Sequence, residues 1–192
     1  MTGGMAPSIV EIGSIGGSLA FEVTERSGAS PMSCYQCAKC SSGCPVAARG
    51  DLKPHEVVRL VQTNQQQAVL ASRFIWECTS CQTCTTRCPQ KVDLAGIVDA
   101  LRKMSRGSGA AAPSSAVPVF NEVFLDAVRD RGRVFELGLM IRFKLRTRRF
   151  LEDAGKAPMM LRKGKLALRA ARIGGKDERK ALFDRAAEGG AK

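Results

Sequence analysis

Two cysteine runs of one spacing constrain this chain more than any other feature, because they hold all eight of its cysteines. The first, CYQCAKCSSGCP, places Cys34, Cys37, Cys40 and Cys44 with Pro45 behind them; the second, CTSCQTCTTRCP, places Cys78, Cys81, Cys84 and Cys88 with Pro89 behind them. Thiolates at i, i+3 and i+6 fit one concave turn of backbone that can hold three irons of a cubane. The fourth, three residues further on and followed by proline, leaves that turn. This is the spacing of a bacterial [4Fe–4S] run, whose fourth cysteine ligates the other cluster when two are present. The expectation is two [4Fe–4S] clusters with crossed ligand sets: Cys34, Cys37, Cys40 and Cys88 on one, and Cys78, Cys81, Cys84 and Cys44 on the other.

Two alternatives for the cysteines are disfavoured. A structural zinc site pairs two short Cys or His units across a dozen or more residues, whereas here four thiols crowd into each run. A disulfide framework would spread its cysteines along a secreted chain. The N-terminal stretch has no Lys or Arg before Arg26 and no apolar run of signal-peptide length. Nothing approaches the roughly 18 apolar residues of a membrane span. These features predict a soluble cytoplasmic protein whose thiols stay reduced. Aromatics are only 5% of the chain, so the core must be aliphatic or be filled in part by a cofactor.

The residues beside the runs have both functional and structural readings. Gly43 is expected to allow a backbone conformation that a Cβ would hinder, and Pro45 and Pro89 turn the chain. Lys39 and Arg87 would raise a cluster's potential if they approach it; otherwise they are solvated charges. Trp76 is either a shield for a cluster or core. His55, the single histidine, reads as an exposed first-turn residue and not as a metal ligand.

The chain reads as all-α, with the runs in loops and short turns. SLAFEVTERSG is a short helix with Ser18 as N-cap and Gly28 past its end. Pro54 stands at a first helical position before Val57, Val58, Leu60 and Val61, and Asn64 is a candidate cap for a helical stretch into the second run. Asp93 caps a helix whose Leu94, Ile97, Val98 and Leu101 follow the spacing of one buried face. The composition gives an N-terminal segment over 1–29, a two-cluster domain over 30–106, a Gly/Ala/Ser/Pro/Val linker over 107–118 and a helical extension over 119–192. In that extension Phe120, Val123, Phe124, Ala127 and Val128 are apolar and Gly132 is a stop.

Charge divides the chain in the same way. Residues 1–128 carry 11 Lys/Arg against 10 Asp/Glu, a net +1, and residues 129–192 carry 19 against 8, a net +11. In FELGLMIRFKLRTRRF, Leu137, Ile141 and Leu145 are expected to line one face that Arg142, Arg146 and Arg149 flank, a stripe suited to docking a partner. A basic tail also suggests nucleic acid, but Phe135, Phe143, Phe150 and Phe183 stand at apolar positions and not as a stacking platform. No nucleic acid is expected. No Ser/His/Asp set, paired carboxylate site, P-loop or dinucleotide fingerprint is visible, and GSIGGS lacks the G-x-G-x-x-G form. No catalytic residues are therefore expected.

With CYQCAKCSSGCPVA and WECTSCQTCTTRCPQKVDL in place, the chain resembles the C subunit of heterodisulfide reductase. The tail segments VFNEVFLDAVRDRGRVFELGLM and MLRKGKLALRAARIGGKDERKALF extend that resemblance nearly end to end. The cysteine runs alone are shared with iron–sulfur subunits of succinate dehydrogenase, glycolate oxidase and glycerol-3-phosphate dehydrogenase; the tail favours the first family. The resemblance implies a helical ferredoxin, an electron-transfer subunit of an oxidoreductase complex. It would relay electrons between an A subunit, which contains flavin, and a B subunit, which reduces the disulfide. The resemblance also allows a homologous complex of sulfur oxidation, methylenetetrahydrofolate reduction or glycolate oxidation.

Overall fold

The computed structural model describes residues 18–108, 116–148, 155, 157–164 and 173–189, and its contacts divide the chain into two compact units, Met1–Ser115 and Ala116–Lys192. Every regular element among the described residues is helical, so the chain is all-α.

In the first unit, α1 (Ser18–Ser27) starts at Ser18 and stops where Gly28 turns left-handed at φ +69, its amide donating to the Thr24 carbonyl at 2.8 Å. A single 3-10 turn, Pro31–Ser33, leads into the first cysteine run, which holds α2 (Lys39–Ser42). The α3 helix (Pro54–Gln62) begins on its proline, and Glu56 accepts the Lys53 amide at 2.7 Å, satisfying one of the donors a helix start leaves free. The stretch expected to run helically into the second run is two short helices, α4 (Gln66–Leu70) and α5 (Phe74–Glu77). Asn64 caps neither: at φ +56 it turns the chain back, and its Oδ1 accepts from the Leu19 amide at the start of α1. The second run holds α6 (Thr83–Arg87), and α7 (Leu94–Gly107) follows with Asp93 as N-cap, accepting from the Gly96 amide at 3.2 Å.

Helix α7 organises this unit by packing on α1, α4, α5 and α6, while α3 packs on α1, α2 and α4. Leu94, Ile97, Val98 and Leu101 are all buried, as their spacing predicts, together with Leu19, Val23, Val57, Val61, Val69, Phe74 and Ile75. The core is aliphatic, with Phe74 its largest fully buried side chain. Trp76 is 6% exposed and takes the core reading.

In the second unit α8 (Val117–Arg131) packs on α9 (Glu136–Thr147) and on α11 (Lys176–Gly189); α10 (Ala157–Arg162) is short. Gly132 ends α8 at φ +78 as expected. Among the described residues here only Val123 and Ala127 are buried, whereas Phe120 and Phe124 stay exposed. Phe120 instead meets Phe143 edge-on at 5.7 Å. Ile141 and Leu145 are exposed as the stripe predicts, but two of their flanking arginines are tied to α8: Arg142 to Asp130 at 3.2 Å, and Arg146 to Glu122 at 3.1 Å and Asp126 at 3.5 Å. Arg149, Phe150, GSIGG and most of the linker lie outside the described residues. No helix among the described residues is long and apolar enough to cross a membrane.

Candidate functional site

The two cysteine runs fold alike. Residues 44 apart in sequence repeat one backbone course: Gln36 and Ser80 are left-handed at φ +63 and +51, and Ala38 and Gln82 at +59 and +63. Such angles cost a residue with a Cβ about 1–2 kcal/mol each, and strain of this kind collects at functional sites. Each turn leads into a short helix, α2 or α6, and those helices pack on each other. Cys37 and Cys81, the second cysteine of each run, are the exposed ones; the other six are half-buried.

The hydroxyl after the third cysteine anchors each turn to the helix that follows. Thr85 donates to the Asp93 carboxylate at 2.8 Å. Ser41 lies 2.7 Å from His55 Nδ1 and accepts the His55 amide at 3.1 Å. His55 is thus a half-buried anchor, more enclosed than the exposed first-turn residue expected.

One recess brings thiols of both runs together. Cys78, Cys81, Cys84 and Cys44 line it with Val46, Phe74, Leu94 and Val98, and its walls are largely apolar. The other four are linked more loosely: Cys40 feels Cys34, and Tyr35 feels Cys37, Cys88 and Cys34. Those three thiols, after desolvation, hold the Tyr35 phenol above its ordinary value.

Burial pushes the Cys40, Cys78 and Cys84 thiols up. At Cys78 the Ser80 amide and then Arg102 oppose that rise. The exposed Cys81 is drawn down, chiefly by its hydrogen bond with Thr83. A buried thiol resists ionising unless a cation compensates the charge, so these walls suit a cationic inorganic group whose binding expels the protons. Among the described residues, however, no three Cys, His, Asp or Glu side chains converge tightly enough for a single metal ion. A cubane spreads its ligands over separate corners and needs no such convergence.

Gly43 serves space, not conformation. Its φ of −106 is ordinary, and the Arg87 guanidinium occupies the place a Cβ on Gly43 would take. Gly43 and Arg87 are the equivalent residues of the two runs. One cation therefore lies where the runs meet.

Sequence reasoning missed two clamps. Gln62, the last residue of α3, donates from Nε2 to the Pro31 carbonyl at 3.0 Å and the Cys34 carbonyl at 2.8 Å. Arg102 of α7 donates from Nε to the Ile75 carbonyl at 2.5 Å, from Nη2 to the Cys78 carbonyl, and from Nη1 to Ser80 Oγ at 3.3 Å. Each stands nine residues past its helix's cap, Lys53 or Asp93, a register visible in the sequence once the caps are known. A third residue, Asp51, accepts the Arg73 and Phe74 amides at 2.8 and 2.9 Å and the Ser72 hydroxyl at 2.9 Å, fixing the start of α5 ahead of the second run.

Residues 33–93 match the 4Fe-4S dicluster domain family. The chain is 26% identical over 107 residues to the C subunit of the H(2):CoB-CoM heterodisulfide,ferredoxin reductase of Methanothermobacter thermautotrophicus, covering 56% of this chain and 58% of that one. It is 36% identical over 85 residues to the C2 subunit of the H(2)/formate:CoB-CoM heterodisulfide,ferredoxin reductase of Methanococcus maripaludis, covering 44% and 46%. With the iron-sulfur C subunit of the CoB--CoM heterodisulfide reductase of Methanopyrus kandleri the identity is 34% over 80 residues, 42% of each chain. Over about half of its length the chain is similar to heterodisulfide reductase C subunits. It spans about half the length of these curated relatives, a shorter match than the tail segments suggested. The dicluster family and the eight cysteines in two motifs give it two [4Fe–4S] clusters.

Proposed function

We propose that this chain is the electron-transfer subunit of a heterodisulfide reductase-type complex in the cytoplasm, without catalytic residues of its own. The observation that carries the reading is the recess in which Cys44 of the first run joins Cys78, Cys81 and Cys84 of the second. It supports the crossed ligand sets, with Cys34, Cys37, Cys40 and Cys88 as the complementary set. Sharing ligands in this way keeps two one-electron centres close enough to act in series. The chain's own residues hold the clusters, turn the backbone toward them through the four left-handed positions, and keep water from one side with Val46, Phe74, Leu94 and Val98.

The partners in this proposal are those the family resemblance implies: a B subunit, which reduces the disulfide, and an A subunit, which contains flavin. The second unit supports docking, because its described residues bury little of their own apolar surface while Phe120, Phe124, Ile141 and Leu145 stay exposed. Its positive charge is partly engaged internally: Arg129 lies 4.8 Å from the Phe183 ring centre and Arg131 5.5 Å from that of Phe135, besides the pairs of Arg142 and Arg146. That arrangement fits a protein partner better than a nucleic-acid backbone.

Iron and sulfide analysis of the anaerobically purified chain should give about eight of each, as two [4Fe–4S] clusters require. About four irons, or stoichiometric zinc, overturns the crossed assignment. Isolation of the native complex should recover a flavoprotein and a second iron–sulfur protein with this chain; recovery of the chain alone overturns the reading as part of a complex.

A further inference from the structure

The internal repeat is close enough that its exceptions carry information. Gln62 and Arg102 are the same residue of the repeat: each lies nine residues past a helix cap, and each grips the matching carbonyls of its run, Pro31 and Cys34 for Gln62, Ile75 and Cys78 for Arg102. The third contact joins equivalent positions but reverses direction: Gln62 accepts from Gln36 Nε2 at 3.5 Å, whereas Arg102 donates to Ser80 Oγ at 3.3 Å. The geometry is repeated within the chain while the charge is not. A carbonyl needs only a donor, and Gln62 supplies one without charge. The guanidinium of Arg102 is therefore in excess of what the clamp requires.

We propose that Arg102 and Gln62 are positioning residues that set the two clusters at different potentials, Arg102 favouring reduction at the cluster of Cys78, Cys81 and Cys84. The inference rests on the ligand reading proposed above. One electron passes from the cluster of Cys34, Cys37 and Cys40, which is oxidised, to that of Cys78, Cys81 and Cys84, which is reduced, and no bond to carbon or hydrogen changes. Reduction adds one negative charge, and a fixed positive charge nearby stabilises the reduced form more than the oxidised.

Of the carboxylates beside the second run, Asp93 is held by Thr85 at 2.8 Å and Gly96 at 3.2 Å, and Glu77 is paired with Arg73 at 3.0 Å. Arg102 is also paired with Asp99 at 3.0 Å, but the Arg102 side chain is 23% exposed and that of Asp99 56%, so Asp99 is the better screened of the two. Arg59 lines a separate hollow with Cys34 and Gln62 but is exposed to solvent. Lys39 is likewise exposed. Arg87 lies over Gly43 where the runs meet and acts on both clusters. Arg102 is a half-buried cation whose contacts near the runs are all with the second.

The test is an EPR-monitored redox titration of the reconstituted full chain with three variants. Arg102→Gln installs the side chain that already makes this clamp in the first run. It should lower the higher-potential couple about tenfold in its reduction equilibrium, about 59 mV for one electron, and leave the other in place. Arg102→Lys keeps the charge and should hold both couples near their original values. Gln62→Arg should raise the lower couple and narrow the gap. The proposal is overturned if Arg102→Gln moves neither couple or both equally, or if Gln62→Arg and Arg102→Gln act on the same couple. Cys81→Ser checks the ligand reading separately: it should alter the spectrum of the couple that Arg102→Gln lowers, and an alteration confined to the other couple overturns the ligand assignment.

Discussion

Asp51 shows how one carboxylate outside the motifs steers a motif. It reaches 22 residues along the chain to cap α5, whose end is Cys78. Desolvation raises its pKa, but the Arg73 and Phe74 amides and the Ser72 hydroxyl together outweigh that and hold it below its ordinary value. A depressed carboxylate stabilises the fold above its unfolded pKa and loses that contribution as pH falls through the folded one. Asp51→Ala should cost about 1 kcal/mol near neutral pH, read as a lower denaturation midpoint, and the gap from wild type should close in acid below pH about 4. At Ala38, φ +59 opposes the side chain itself. Ala38→Gly should stabilise the holo-protein by about 0.5–1 kcal/mol; an unchanged midpoint would mean the turn relaxes without its Cβ being felt.

At the scale of elements, α7 does two things with one helix. Its apolar face closes the core against α1, α4 and α5, and the residue beyond that face, Arg102, grips the second run. Leu101, fully buried beside Arg102 in sequence, links the two. Leu101→Ala should cost about 2–5 kcal/mol and loosen the second run more than the first. Hydrogen exchange should then rise around Cys78 and Ser80 before it rises around Cys34 and Gln36. An equal rise at both runs would show that α7 supports the unit as a whole and not the second run in particular.

For the whole molecule, the two units make different demands. The first has a real but aliphatic core, and its cysteine turns hold residues with a Cβ in left-handed backbone. Metal binding contributes folding free energy in such a domain, so removing the iron should unfold residues 30–105 and lower the far-UV circular dichroism accordingly. An apo spectrum equal to the holo spectrum would make the clusters accessories. The second unit buries little among its described residues. A chain cut after Ser108 should keep both clusters and their spectra while losing the disulfide-reducing partner in a pull-down at moderate salt; full retention of that partner would move the docking surface to the first unit.

The sequence by itself determined the cofactor, the helical class and the principal buried face. Cysteine spacing is a local property, and Leu94, Ile97, Val98 and Leu101 announce their shared face through helical period alone. Local pattern also marked Asp93 as a cap and Gly28 and Gly132 as stops, because these depend on neighbours within one turn. It could not show that Asn64 caps α1, that Arg87 fills the place of a Cβ on Gly43, or that Gln62 and Arg102 are twins. Each of those depends on two segments far apart in sequence meeting at hydrogen-bond or contact distance, where a partner is chosen by packing and not by spacing. Only the tertiary structure decided that one clamp is neutral and the other charged around otherwise matching turns.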